Sequence, residues 1–195
     1  MYVFLIPLLL GFALSWASAF TAAFSHRWGE RGGQLVSLLL RNVVGIPLWV
    51  VGFALAYQTP SAMLIQPSPI TEILGWLLVA VGCIEILSAL PMIGWRSVMP
   101  SVRDTLAIQG IYAHVRHPIY SGALLEFVGL ALLKPTPTGV LACAVGIGGI
   151  IVQARLEELD LLQRLPAYHE YMNQVPRFLP RFRKKRTTSL GKRRE

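Results

Sequence analysis

The chain has 195 residues, of which 54% are hydrophobic and 14% charged, with a mean hydropathy of +0.54. A water-soluble domain carries charge on about a quarter of its residues, so this composition excludes an ordinary soluble globule and leaves room for four or five membrane-crossing helices and little else. The net charge of +8 is local: residues 177–195 hold nine Lys or Arg and one acid, whereas the first 176 residues hold nine basic and nine acidic side chains.

Met1 to Phe24 is a first apolar run without a positively charged leader. Ala17-Ser18-Ala19 resembles a cleavage site, but the run is long for a signal peptide and reads as a first transmembrane helix. Residues 26–41 read as a polar loop with Gly29, Gly32, Gly33 and three arginines. A shorter span follows at 42–57, then an uncharged loop with three prolines at 58–69. The third span, 70–93, carries Glu72 near its start and Glu85 inside it. A basic connection, 94–115, leads to a fourth apolar stretch at 118–133. Residues 134–139, Lys-Pro-Thr-Pro-Thr-Gly, predict a helix-breaking turn. A fifth stretch, 140–152, keeps its helical pattern through Leu162. The last two stretches are about as long as a tilted helix needs, and read as a close-packed hairpin whose polar ends meet at one membrane face. Cys83 and Cys143 fall inside spans and read as small core residues, with no disulfide implied.

The predicted fold is therefore all-α: an integral membrane helical bundle of about five transmembrane segments, with a C-terminal helical hairpin and a cytoplasmic tail. Residues 1–99 form the N-terminal helices, 100–182 a functional core and 183–195 a basic tail. Lys and Arg concentrate in 26–41, 94–117 and the tail, which places these segments in the cytoplasm by the positive-inside rule. Only Lys134 falls on the outer side. The expected location is the inner, cytoplasmic membrane, multi-pass, with the C-terminus cytoplasmic. The tail could meet nucleic acid, but in a membrane protein it reads as a contact for anionic lipid headgroups; no nucleic acid partner is expected.

Two charged knots stand out. Arg116-His117-Pro118-Ile119-Tyr120 opens the fourth stretch, and Glu157-Glu158 follows the fifth. Proline suits a first helical position, Tyr120 lies one turn from His117, and Gly122 lets a neighbouring backbone or flat ligand approach. Arg116 beside a helix N-terminus suits a carboxylate or phosphate. Gln153, Glu157, Asp160 and Arg164 fall on related faces of a helix. Taken singly, each knot also reads as an interfacial anchor or a solvated turn. Tyr168 and Tyr171, one turn apart, suit either a purine or an aromatic belt. No metal site is expected.

Gly110-Ile111-Tyr112-Ala113-His114-Val115-Arg116-His117-Pro118-Ile119-Tyr120-Ser121-Gly122 resembles the first signature of membrane-embedded methyltransferases, among them the isoprenylcysteine carboxyl methyltransferases and the phospholipid N-methyltransferases. Arg155-Leu156-Glu157-Glu158-Leu159-Asp160-Leu161-Leu162 is similar to their second motif, and Tyr168-His169-Glu170-Tyr171 with Val175-Pro176-Arg177-Phe178-Leu179-Pro180 to their ending. The resemblance implies S-adenosylmethionine as cofactor, in a pocket closed by the last hairpin and the C-terminal segment, which makes the latter a cytoplasmic cofactor-binding tail. It implies His117, Pro118, Tyr120, Gly122, Arg155, Glu157, Glu158, Tyr168 and Tyr171 as cofactor-binding residues, and Arg116, His117 and Glu157 as catalytic ones. The implied partner is a lipophilic small molecule, lipid or lipidated acceptor. For an amine acceptor, Glu157, His117 or Glu126 is a candidate base. Ile111 stands where the signature has proline. Gln153 stands where several members have arginine, a position for which Arg155 is a candidate substitute. Two other readings share the layout: an NADPH-dependent membrane reductase of the sterol-reductase type, and a non-catalytic scaffold that retains the fold. Glu85 and Glu126 either line a substrate path or pair with Arg96 or Arg103.

Overall fold

The computed structural model describes residues 2–180. The predicted basic tail, 183–195, and its lipid contacts lie outside the described residues. The described chain contains helices α1 (Leu5–Ala17), α2 (Thr21–Leu38), α3 (Ile46–Gln58), α4 (Pro69–Ile93), α5 (Pro118–Leu133), α6 (Pro137–Arg164) and α7 (Tyr168–Gln174), and no strand. Three helical runs, Thr21–Gln58, Pro69–Ser97 and Pro137–Arg164, are long and apolar enough to cross a membrane, and Leu5–Ala17 and Pro118–Leu133 are shorter apolar helices. Together they make the expected helical membrane bundle.

Three helices begin where proline dictates. Pro69, Pro118 and Pro137 sit at the starts of α4, α5 and α6, where a missing N–H costs nothing. Ser68 and Thr136 cap two of these starts by accepting the N–H groups of Thr71 and Gly139. The turn expected at 134–139 is correspondingly shorter, because Thr136 and Pro137 restart the helix.

The stretch 26–41 is not a loop. It lies in α2 and in the π turn Leu39–Gly45 that follows, and the polarity of the segment reflects a sharp corner instead. Gly29 breaks α2 with φ 71° and ψ 170°, a conformation essentially confined to glycine. The two arms then fold back on each other. A Cβ on Gly33 would fall 2.4 Å from Ser25 Oγ, and Ser37 Oγ donates to the Ser18 carbonyl at 3.2 Å.

Small residues set the helix spacing, as they must where lipid supplies no hydrophobic drive for helices to associate. A Cβ on Gly82 would lie 2.5 Å from the Gly122 carbonyl oxygen, and one on Gly129 would lie 2.6 Å from that of Gly75. These pairs, seven residues apart on each helix, press α4 against α5. The fourth stretch therefore packs most extensively on α4, and less on its expected hairpin partner α6. The core lies among α1, α3, α5 and α6, around Phe4, Leu8, Phe12, Phe127, Cys143 and Ile150. Phe12 stacks on Trp49 at 5.7 Å and Phe53 on Phe127 at 4.9 Å. Cys143 is the small core residue expected. Cys83 is exposed on the outside of the bundle, because it lies on the flank of the α4–α5 seam. Both thiols are free.

The connections sort to two ends. At one, Leu64 N–H donates to the Pro135 carbonyl at 2.8 Å and Thr138 to the Ala56 carbonyl at 2.9 Å. At the other lie residues 94–117, the end of α6, α7 and residues 175–180. With 28 residues, α6 is about 42 Å long, well beyond a hydrocarbon core of about 30 Å. Its last turns therefore rise as a wall at this second end.

Candidate active site

The three sequence motifs converge on one carboxylate. His117 occupies the position before the first residue of α5, and the backbone here is paired with the C-terminal segment: Arg116 N–H donates to the Pro176 carbonyl at 2.9 Å and His117 N–H to that of Arg177 at 3.1 Å. Ser121 Oγ, one turn into α5, donates to the Phe178 carbonyl at 2.8 Å. Glu158, only 1% exposed, closes the assembly. Its Oε1 accepts from Arg116 Nη2 at 2.9 Å and from Arg177 Nε at 3.0 Å, with His117 Nε2 at 3.3 Å; Oε2 accepts from Arg177 Nη2 at 2.5 Å. Arg116 also spans to the Met172 and Val175 carbonyls, both at 2.6 Å. A buried carboxylate needs this density of charged donors to be tolerated. In return its hydrogen bonds raise the Arg177 guanidinium further above its ordinary range.

Glu157, the neighbouring residue, turns the other way. Its Oε1 accepts from Tyr120 Oη at 2.6 Å, Gln153 Nε2 at 2.9 Å and Arg41 Nη1 at 3.1 Å. No described residue donates to its Oε2. The Tyr120 ring stacks on His117 with centroids 5.5 Å apart.

Glu157, Tyr120, His117 and Pro118 line a cavity of about 350 Å³, within the size range of small-molecule sites. Tyr112, Tyr168 and Tyr171 form one wall with Leu106, Leu161 and Leu165. Tyr171 Oη donates to the Tyr112 carbonyl at 2.6 Å. Burial pushes the Tyr171 phenol up to about 12 and moves Tyr112 and Tyr168 upward too, so all three remain neutral donors. Tyr168 Oη is buried with no partner among the described residues. Ile46, Leu90, Ile93 and Ile119 make an apolar flank towards α3, α4 and α5.

The connection from Gly94 to Gly110 roofs the cavity. Helices on three sides hold it: Arg41 Nη2 donates to the Ser97 carbonyl, Asn42 Nδ2 to that of Val98 at 3.0 Å, and Arg164 Nη1 to that of Ser101. Glu30 of α2 accepts from Ser101 Oγ and pairs with Arg103 at 3.0 Å. Asp160 joins α6 to α2, accepting from Ala22 N–H at 2.9 Å and from Arg164 Nε at 2.7 Å.

Of the residues singled out from sequence, Arg116, His117, Pro118, Tyr120, Glu157, Tyr168 and Tyr171 line the cavity. Glu158 stands behind it, enclosed by Arg116, His117 and Arg177. Gly122 faces Gly82 and serves the approach of a neighbouring backbone. Arg155 points outward, its side chain 59% exposed and 3.9 Å from Glu158. Glu126 accepts from Cys83 Sγ at 3.2 Å. Arg103 pairs with Glu30, and Arg96 donates to the Thr105 carbonyl at 2.7 Å; neither pairs with Glu85 or Glu126. Sequence reasoning assigned no role to Arg41, Tyr112 or Arg177. Tyr112 and Arg177 lie inside the motifs. For Arg41 the signal was a cation at the mouth of an apolar helix, with an acid on α6 to balance.

Residues 70–165 match a family model described as phospholipid methyltransferase. This stretch belongs to the phospholipid methyltransferase family. It lies within the wider superfamily of integral-membrane methyltransferases that the motifs indicate. No curated protein and no solved structure matches the chain. The phospholipid methyltransferase stretch supplies α4, the roof, α5 and α6 to Arg164, and with them His117, Tyr120 and Glu157. Arg41, Tyr168, Tyr171 and Arg177 reach the same site from outside it.

Proposed function

We propose that the protein is an S-adenosylmethionine-dependent membrane methyltransferase acting on a lipophilic or lipid-like acceptor, in the manner of the isoprenylcysteine carboxyl methyltransferases. The observation that carries this reading is a cavity at the junction of the three motifs, lined by Glu157, whose Oε1 takes all three of its described donors and whose Oε2 takes none. These residues fit the cofactor. Glu157 would hold its ammonium by a charge-assisted hydrogen bond, and the wall of Tyr112, Tyr168 and Tyr171 would hold the adenosyl group by stacking. The cofactor supplies an already activated methyl on a sulfonium, so the protein's work is alignment and exclusion of water.

The residues of this chain do that work as follows. Glu158 holds Arg116, His117 and Arg177 together and so fixes the floor of the cavity; its role is positioning. Tyr120 and Gln153 hold Glu157 towards the cavity. The roof covers the polar half, and Ile46, Leu90, Ile93 and Ile119 receive the apolar part of the acceptor. For an acceptor that must lose a proton, His117 and Glu157 are the candidate bases that line the cavity, while Glu126 does not line it.

Equilibrium binding of radiolabelled S-adenosylmethionine to the purified protein in lipid nanodiscs, with NADPH as a parallel ligand, tests the reading. Saturable binding of S-adenosylmethionine that is lost in Glu157→Gln is expected. Binding of NADPH alone by the folded protein would refute it in favour of a reductase.

A further inference from the structure

We infer that Arg41 is a positioning residue of this site, which aims Glu157 into the cavity and fastens the roof with the same guanidinium. The inference rests on the cavity being the cofactor site proposed above.

Arg41 lies outside the family-matched stretch and outside the three motifs. It is delivered by the π turn Leu39–Gly45, in which Ile46 N–H bonds the Arg41 carbonyl five residues back. Such single-turn bulges recur at functional sites because the extra residue redirects side chains around the helix. Here the redirected side chain is only 14% exposed and reaches across to α6. Of the three donors to Glu157 Oε1, Tyr120 and Gln153 are neutral, and Arg41 is the cation among the described residues that lies within ion-pair distance. All three approach one oxygen, which leaves Oε2 for a ligand. A guanidinium presents its donors in a fixed fork, and the other arm of this one, Nη2, donates to the Ser97 carbonyl at the start of the roof. Asn42 adds the Val98 carbonyl at 3.0 Å. The roof is bracketed by Gly94 and Gly110, with φ of 57° and 58°, conformations that side chains disfavour and glycine adopts freely. One side chain therefore ties the N-terminal helices, the α6 carboxylate and a glycine-bounded cover into a single closed arrangement.

The two roles separate by mutation. Gln153 Nε2 is 2.9 Å from the oxygen that Arg41 contacts, so arginine at 153 returns a cation to Glu157 from α6 itself, without holding Ser97. S-adenosylmethionine affinity, melting temperature without ligand, and tryptic cleavage after Arg103, whose side chain is 83% exposed, are compared in the wild type, Arg41→Gln, and Arg41→Gln with Gln153→Arg. Expected are an affinity loss of about tenfold or more in Arg41→Gln, recovery of most of it in the double variant, and faster cleavage at Arg103 in both. A residue that served folding alone would show no recovery. If Arg41→Gln does not fold, Arg41→Lys provides the same comparison: its single ammonium cannot hold Glu157 and Ser97 at once, so affinity falls or cleavage accelerates. Affinity in Arg41→Gln within about twofold of wild type, or no recovery in a stably folded double variant, overturns the inference. Wild-type protein that binds no S-adenosylmethionine overturns the reading of the site itself, a result distinguishable from either of these.

Discussion

Glu158→Ala is the perturbation with the largest expected effect on structure. It removes a carboxylate, 1% exposed, and leaves Arg116, Arg177 and His117 facing one another. Two guanidiniums about 3 Å from a carboxylate each attract it by about 5 kcal/mol at an effective dielectric of ~20. Desolvation offsets much of that attraction, and the observed cost of stripping one partner from a buried pair is about 3–5 kcal/mol. The partial exposure of Arg177 places this site at the lower end of that range. At about 2–4 °C per kcal/mol for a chain of this size, melting should fall by about 6–12 °C. The damage should be local at first, because what Glu158 secures is the docking of residues 175–178 on the start of α5. Limited proteolysis read by mass spectrometry should therefore show early cuts within 166–180. Glu158→Gln, which keeps an acceptor of the same shape, should be milder on both readouts. A Glu158→Ala protein that melts within about 2 °C of wild type, with an unaltered C-terminal cleavage pattern, would refute a positioning role and make Glu158 a direct ligand.

Other consequences are open to the same assays. Tyr120→Phe deletes a 2.6 Å hydrogen bond to Glu157 and should weaken S-adenosylmethionine binding by about 1.5–3 kcal/mol, the usual worth of a bond to a charged group, with the fold retained. Gly122→Ala places a Cβ 2.5 Å from the Gly82 carbonyl and should lower stability by about 1–3 kcal/mol through overpacking. Gly148→Ala meets nothing within 4 Å and should be neutral, or stabilising by up to about 1 kcal/mol through helix propensity. The Tyr171 phenol is raised by burial, so its neutral form supports the folded cap. That contribution is complete below the ordinary phenol value of about 10 and is lost as pH rises towards about 12. Difference absorbance at the phenolate band should show Tyr171 ionising in that window, and Tyr171→Phe should remove the transition.

Much of the site was legible because its residues are local in sequence. His117-Pro118 announced a helix start, and α5 begins at Pro118. The four-residue spacing Gln153–Glu157 gave the contact seen at 2.9 Å, whereas Asp160 and Arg164, read as sharing the face of Glu157, pair with each other at 2.7 Å. What escaped depends on the backbone leaving its regular period. The segment 26–41 has a loop's composition but forms two helical arms, since one glycine at φ 71° suffices for the corner and the flanking polar residues sit where the chain turns. The π turn that redirects Arg41 leaves no hydrophobic period to read. The division of labour between Glu157 and Glu158 was equally hidden. Adjacent helical residues point about 100° apart, and only the packing of Arg177 and Arg41 shows which carboxylate faces the cavity. Gly122 was read as open to a backbone or a ligand, and its partner Gly82 lies forty residues earlier on α4.

Transfer of a methyl group at this cavity is directly measurable. Nanodisc-embedded protein given methyl-labelled S-adenosylmethionine and a total-lipid extract should place label in an organic-soluble product, and Glu157→Gln, with unchanged melting, should not. Wild-type protein that is folded and cofactor-bound yet labels nothing in the lipid extract, or a Glu157→Gln variant as active as wild type, would contradict methyl transfer to a lipid at this site.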